Sequence, residues 1–155
     1  MMKRISLFFL VGLIWIVSHL DARSQDAKAR RSDFVVKTNV EATKPDADGK
    51  QSLTVTFKID DSWHVYAHSL PKDFPGVATN IKVSARDKIE DLKIDYPEGK
   101  LIKEADYKAY EGTVPIKASF RRSRGDDTPL EVAVSFQACT KTSCLFPVTV
   151  TQKVP

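Results

Sequence analysis

The chain has 155 residues, with 24 Lys and Arg against 20 Asp and Glu and a formal net charge of +4. That length suits one domain with a full hydrophobic core, and 42% hydrophobic with 28% charged residues is an ordinary globular balance. The charge is too small to argue for nucleic acid, and no basic stripe with interleaved aromatics appears.

The N-terminus reads as a secretory signal peptide. Lys3 and Arg4 precede an uncharged, mostly apolar run from Ile5 to Leu20, and small residues follow at Ala22 and Ser24. Cleavage is expected after Ser24, with Ala22 as the other option. The run is short for a membrane anchor, which needs about 20 residues. No cysteine lies near the cleavage position, so a lipid-modified N-terminal cysteine is excluded. Removing residues 1–24 leaves 21 basic and 19 acidic residues, a net charge of +2. Export, to the periplasm or beyond the cell, places the chain in an oxidising compartment. There two cysteines close in sequence are expected to meet as a disulfide.

Residues 25–33, "QDAKARRSD", are polar and expected to be disordered, so the domain is taken as 34–155. Strand signals then recur. The first is "FVVKTNV" (34–40). In "SLTVTFKID" (52–60), Leu53, Val55, Phe57 and Ile59 share one face, the alternation of a half-buried strand. "WHVYAH" (63–68) follows a "DDS" turn and precedes a loop of turn formers, "SLPKDFPG". Further strands are expected at 78–85, 89–97 and 111–120. "LEVAVSFQA" (130–138) alternates again, with Leu130, Val132, Val134 and Phe136 inward, and 145–154 closes the chain. "RGD" at Arg124 to Asp126 resembles an adhesion tripeptide, but a Gly-Asp hairpin turn with flanking charges is the preferred reading. No segment has sustained helical periodicity. Short strands between Gly, Pro and Asp turns predict an antiparallel β-sandwich.

Chemistry concentrates in "FQACTKTSCLFPV", which holds the two cysteines of the chain, Cys139 and Cys144. Three readings are open. As a staple, so small a loop gives roughly 2 kcal/mol in the chain-entropy model, at the low end for a disulfide. As a metal clip, the ligands would be Cys139, Cys144, His64 and His68, with a spacing that matches no tight metal signature. As a redox pair, the thiols need an exposed attacking sulfur and shielding from stray partners.

"FQACTKTSCLFPV" closely resembles the active-site stretch of the N-terminal periplasmic domain of DsbD-type thiol:disulfide interchange proteins, also described as a disulfide-bond corrector domain. The family pattern is aromatic-Gln-small-Cys, a short insert, then Cys, an apolar residue and proline. Phe136, Gln137, Ala138, Cys139, Cys144 and Pro147 fit it. "FKIDDSWHVYAHSLP" upstream resembles the family's aromatic strand, and the likeness covers residues 34–154. It implies an immunoglobulin-like sandwich without a cofactor. It also implies a disulfide exchanged with partners through Cys144, with Cys139 resolving.

Strand parity puts His64, Tyr66 and His68 on one face, with Trp63 and Val65 in the core. Tyr66 falls on a family tyrosine position. His64 stands where tyrosine can stand, either as a partly exposed strand residue or as a group that tunes the thiol or shuttles a proton. The family's capping loop is expected within "IKEADYKAYEG" (102–112), with Tyr107 or Tyr110 as the cap. Members often continue into a membrane electron-carrying domain and a thioredoxin-like domain. This sequence shows neither a later membrane segment nor a C-x-x-C. Its expected donor is therefore a separate membrane thiol carrier or thioredoxin-like protein, and its acceptors are oxidised periplasmic proteins. A non-enzymatic binding sandwich with a structural disulfide is the alternative, and a copper or zinc binder a further one.

Overall fold

The computed structural model describes residues 31–102 and 105–155. The expected signal peptide and residues 25–30 lie outside the described residues. A 3-10 turn, Ser32–Phe34, comes first. The strands follow as β1 (Val36–Ala42), β2 (Lys50–Ile59), β3 (His64–Tyr66), β4 (Asn80–Ser84), β5 (Glu90–Asp95), β6 (Lys100–Ile102), β7 (Tyr107–Tyr110), β8 (Thr113–Arg121), β9 (Leu130–Phe136), β10 (Ala138–Cys139) and β11 (Val148–Val154).

Every strand pairing is antiparallel. One layer has the order β1-β2-β8-β5, and the other is built on β11-β9-β4. A short sheet, β10-β3-β7-β6, adjoins the second layer, because β9 runs on through Gln137 into β10. The period-two pattern decides which side chains lie between the layers. Leu53, Val55, Phe57 and Ile59 of β2 are buried, as are Leu130, Val132, Val134 and Phe136 of β9. Phe57 and Phe136 meet edge-on across the core, ring centres 5.5 Å apart. Val65 is fully buried and Trp63 packs partly buried against the same core. This is an immunoglobulin-like antiparallel β-sandwich.

Gln152 of β11 ties the layers along one side. Its amide nitrogen donates to Thr38 O at 2.7 Å, and its Oε1 accepts from the Val40 N–H at 3.1 Å.

Two stretches differ from expectation. Arg31 to Asp33, expected within a disordered segment, take part in the fold, and Ser32 is completely buried. Its side chain bonds to backbone more than 100 residues away, a partnership that no local pattern announces. The segment 102–112, expected as a loop, contains β7, which pairs with β3 on one side and β6 on the other.

The "RGD" tripeptide is structural. Asp126 is 5% exposed and bonds Arg122 at 2.8 Å, while Gly125 takes the left-handed backbone of a turn (φ 75°). Its carboxylate faces inward rather than toward a receptor.

Candidate functional site

The site begins with a hairpin. Thr140 N–H donates to Ser143 O at 2.8 Å, and the Thr140 hydroxyl accepts from the Ser143 N–H at 3.1 Å. Leu145 N–H donates to Ala138 O at 2.9 Å. These bonds place Cys139 and Cys144 opposite each other as an antiparallel bridge, Cα atoms 4.0 Å apart, joined by a disulfide. The two sulfurs belong to unlike environments. Cys139 is 1% exposed, whereas Cys144 is exposed, as are Phe146 and Pro147 after it.

β3 supplies the wall of the site. Cys139 pairs directly with His64, so the two side chains leave the sheet on the same face. Tyr66, two residues on, shares that face. Its hydroxyl lies 3.2 Å from Cys139 Sγ and 3.4 Å from Cys144 Sγ. In the disulfide neither sulfur carries a proton, so the tyrosine donates. Burial, and then the neighbouring Tyr107, push the Tyr66 hydroxyl above the usual phenol range, which keeps the donor proton in place.

The register of β7 decides between the two candidate cap tyrosines. Tyr66 pairs with Ala109 and Val65 with Tyr110. Tyr107 therefore falls on the face of Tyr66, and Tyr110 on the core face. Tyr110 is 2% exposed and donates its hydroxyl to Pro97 O at 2.8 Å. It is a core residue and not a cap. Tyr107 stacks edge-on against Tyr66, ring centres 5.0 Å apart, with its hydroxyl 3.1 Å from His64 Nε2.

His64 is 7% exposed, buried rather than partly exposed. Burial lowers its proton affinity below the usual imidazole value, against a weaker opposing pull from Glu111. It is neutral at pH 7. His68 leaves the site altogether: its ring stacks on Tyr96 at 3.7 Å and its Nδ1 lies 3.1 Å from Thr79 O. Among the described residues, no three His, Cys, Asp or Glu side chains converge to hold a metal.

Gln137 joins the hairpin to its surroundings. Its amide nitrogen donates to Leu145 O at 3.1 Å and its Oε1 accepts from the Val77 N–H at 3.0 Å. That second bond anchors the loop 69–79, which carries an aromatic group that the sequence reading missed. Phe74 packs edge-on against both Tyr66 and Tyr107, at 5.0 and 5.2 Å. Gly76 makes the approach possible, since a Cβ there would lie 2.4 Å from the Tyr66 ring. Phe74 of the loop 69–79 thus joins Tyr107 of β7 against the Tyr66 ring, so the aromatic cluster draws on both segments. The signal available was the "FPG" within a long turn-rich loop, which marks close backbone packing but not its target.

An immunoglobulin-like sandwich that holds a disulfide at one end, one cysteine buried and one exposed beside a tyrosine hydroxyl, is a domain of the thiol–disulfide exchange class. The chain belongs to the family described as thiol:disulfide interchange protein DsbD, N-terminal, whose model matches residues 31–155.

Among solved structures, it is similar to the N-terminal periplasmic domain of ScsB from Proteus mirabilis. The TM-score is 0.58 and the identity 17%, over 76% of this chain and 45% of that one. The chain thus spans less than half the length of that relative, and the likeness concerns the fold. The reduced DsbD N-terminal domain of Neisseria meningitidis matches at TM-score 0.45 and 16% identity, over 79% of this chain and 86% of that one. A complex between the DsbD and PilB N-terminal domains of Neisseria meningitidis matches at 0.47 and 13%, over 76% and 80%. Among curated proteins, none matches the chain with significance. No helix among the described residues is long and apolar enough to cross a membrane.

Proposed function

We propose that this domain relays electrons in the periplasm by thiol–disulfide exchange through Cys139 and Cys144. The observation that carries the reading is the asymmetry of the pair: Cys144 is exposed and Cys139 is 1% exposed, with one tyrosine hydroxyl in reach of both sulfurs.

In the reduced domain the Cys144 thiolate attacks a partner disulfide. A Cys144–partner disulfide forms and the partner's other sulfur leaves as thiolate. Cys139 thiolate then attacks Cys144 Sγ, the internal disulfide forms, and the partner's second sulfur leaves with its electron pair. Two electrons have passed to the partner. Tyr66 donates a hydrogen bond to whichever sulfur carries charge, which favours the thiolate. Phe74 and Tyr107 screen that hydroxyl from water. A membrane thiol carrier or a thioredoxin-like protein restores the dithiol by attacking the exposed Cys144 sulfur. The exported location rests on the signal peptide read in the sequence and on family membership.

The reduction potential of the couple tests the reading. Exchange proteins lie between about −120 and −270 mV, and structural disulfides below about −300 mV. A value in the first range, with a partner trapped on Cys144 by Cys139→Ser, is the expected result. A value in the second, with no trapped partner, would favour a binding sandwich with an inert disulfide.

A further inference from the structure

The cysteine hairpin is bonded across its arms at Ala138 and Leu145, but its ladder is interrupted at the base. The β9–β11 ladder pairs Phe136 with Val148, and beyond it Cys139 pairs with Cys144. Two residues, Gln137 and Ala138, separate these pairs on the first arm, and three, Leu145 to Pro147, on the second. The extra residue is a β-bulge, which interrupts the ladder. Pro147 has no N–H to offer and suits an interrupted position.

At the interruption, the Ala138 N–H and the Phe146 carbonyl are bonded not across the hairpin but to Ser32. The Ser32 hydroxyl accepts from Ala138 N–H at 2.8 Å and donates to Phe146 O at 2.8 Å. The Ser32 N–H donates to the same carbonyl at 3.0 Å. One side chain, 0% exposed, thus bridges the arm before Cys139 and the arm after Cys144. A hydroxyl can do this because it donates and accepts at one atom.

We propose that Ser32 is a positioning residue for the redox pair, holding the two arms of the hairpin together when the disulfide is open. The proposal rests on the exchange reading above. For Cys139 to displace the partner, its thiolate must find Cys144 Sγ before another thiol does. The Cys139–Cys144 bond then forms, the Cys144–partner bond breaks, and the partner's sulfur leaves as thiolate. Holding the arms together raises the effective concentration of one sulfur at the other. In the disulfide the covalent bond already does so, so the serine matters most in the dithiol and the mixed disulfide.

Ser32→Ala tests this. A dithiol freed to open gains conformations denied to the cross-linked form. The equilibrium against glutathione should therefore shift toward the dithiol by about threefold to tenfold, tenfold being about 30 mV. Resolution of a Cys144–glutathione mixed disulfide should slow to a similar degree. Ser32→Thr, which keeps the hydroxyl, should stay within about twofold of the parent in both readouts. The proposal is overturned if Ser32→Ala lowers the melting temperature of oxidised and reduced protein alike while both redox readouts stay unchanged. Equal redox losses in the two variants would overturn it as well.

Should Ser32→Ala not fold, hydrogen exchange of the Ala138 amide in the parent decides. Protection in the dithiol close to that in the disulfide supports the bridge, and exchange at an exposed-loop rate overturns it. The glutathione readouts need no natural partner. A failure of the exchange reading, seen as a very low potential without partner trapping, therefore remains distinguishable from a failure of the Ser32 proposal.

Discussion

Tyr66 places its hydroxyl 3.2 Å from the sulfur of Cys139, the sulfur that solvent does not reach. The same oxygen is 3.4 Å from Cys144 Sγ, so a single donor serves both ends of the bond. A hydrogen bond to a charged group contributes about 1.5–3 kcal/mol. In Tyr66→Phe the thiolate loses that donor. Exchange with a small disulfide at pH 7 should slow about threefold to tenfold, because a more basic thiolate is scarcer but more nucleophilic. The pH dependence of alkylation in the reduced protein checks this: Cys144 should titrate at higher pH than in the parent.

His64 gives the fold an acid-side dependence. Burial holds its folded proton affinity below the usual value of 6.5. Between 6.5 and that lower value the unfolded chain binds a proton that the folded chain refuses. Stability is therefore full above pH 6.5 and falls as the pH drops through this window. In His64→Phe the decline should be shallower. Denaturant midpoints of both proteins at pH 7.5 and pH 5 measure the difference.

Gly76 is fitted to the Tyr66 ring, with a hypothetical Cβ only 2.4 Å from it. Gly76→Ala forces the loop away or deforms the aromatic cluster. Overpacking of this kind costs about 1–3 kcal/mol. The displaced Phe74 should leave the sulfurs more open to small reductants. Reduction by a small phosphine should accelerate several-fold, and an unchanged rate would show that the loop does not screen the site.

The buried pair at the far turn sets a second titration. The Thr128 hydroxyl, with the Thr128 N–H and the Arg122 guanidinium, holds the Asp126 carboxyl at about 2, below its usual 3.8. The stabilisation is complete above pH 3.8 and is lost as the pH falls toward 2. Asp126→Asn should flatten the acid limb of the stability curve in that interval while leaving the cysteine potential unchanged. Thermal unfolding between pH 5 and pH 2, with a glutathione titration at pH 7, reads both.

What the sequence could disclose was set by range. Leu53 to Ile59 and Leu130 to Phe136 alternate within their own segments, so their burial was legible from period alone. The cysteine stretch and the aromatic strand were legible through family likeness. β6 and β7 were not, because "KLI" and "YKAY" are short and lack clean polar alternation, and β7 is held by pairing with β3 while β6 is held by pairing with β7. Had β7 been recognised, the odd spacing of Tyr107 and Tyr110 would have separated site from core. Phe74 and Ser32 were hidden for a related reason. Each acts on groups distant in sequence, and each sits in a stretch whose composition reads only as loop.

Gln152 has a consequence for how this protein behaves when crowded. An outer strand such as β1 offers unpaired N–H and C=O groups, a template on which another chain can grow. The Gln152 amide occupies Thr38 O and Val40 N–H as a peptide group would. The opposite edge, β5, is broken by a register shift beside Asp91 (φ 54°) and carries Glu90, Asp91, Lys93 and Asp95. The first layer therefore ends in an imitation peptide on one side and a charged irregularity on the other, and neither border invites polymerisation.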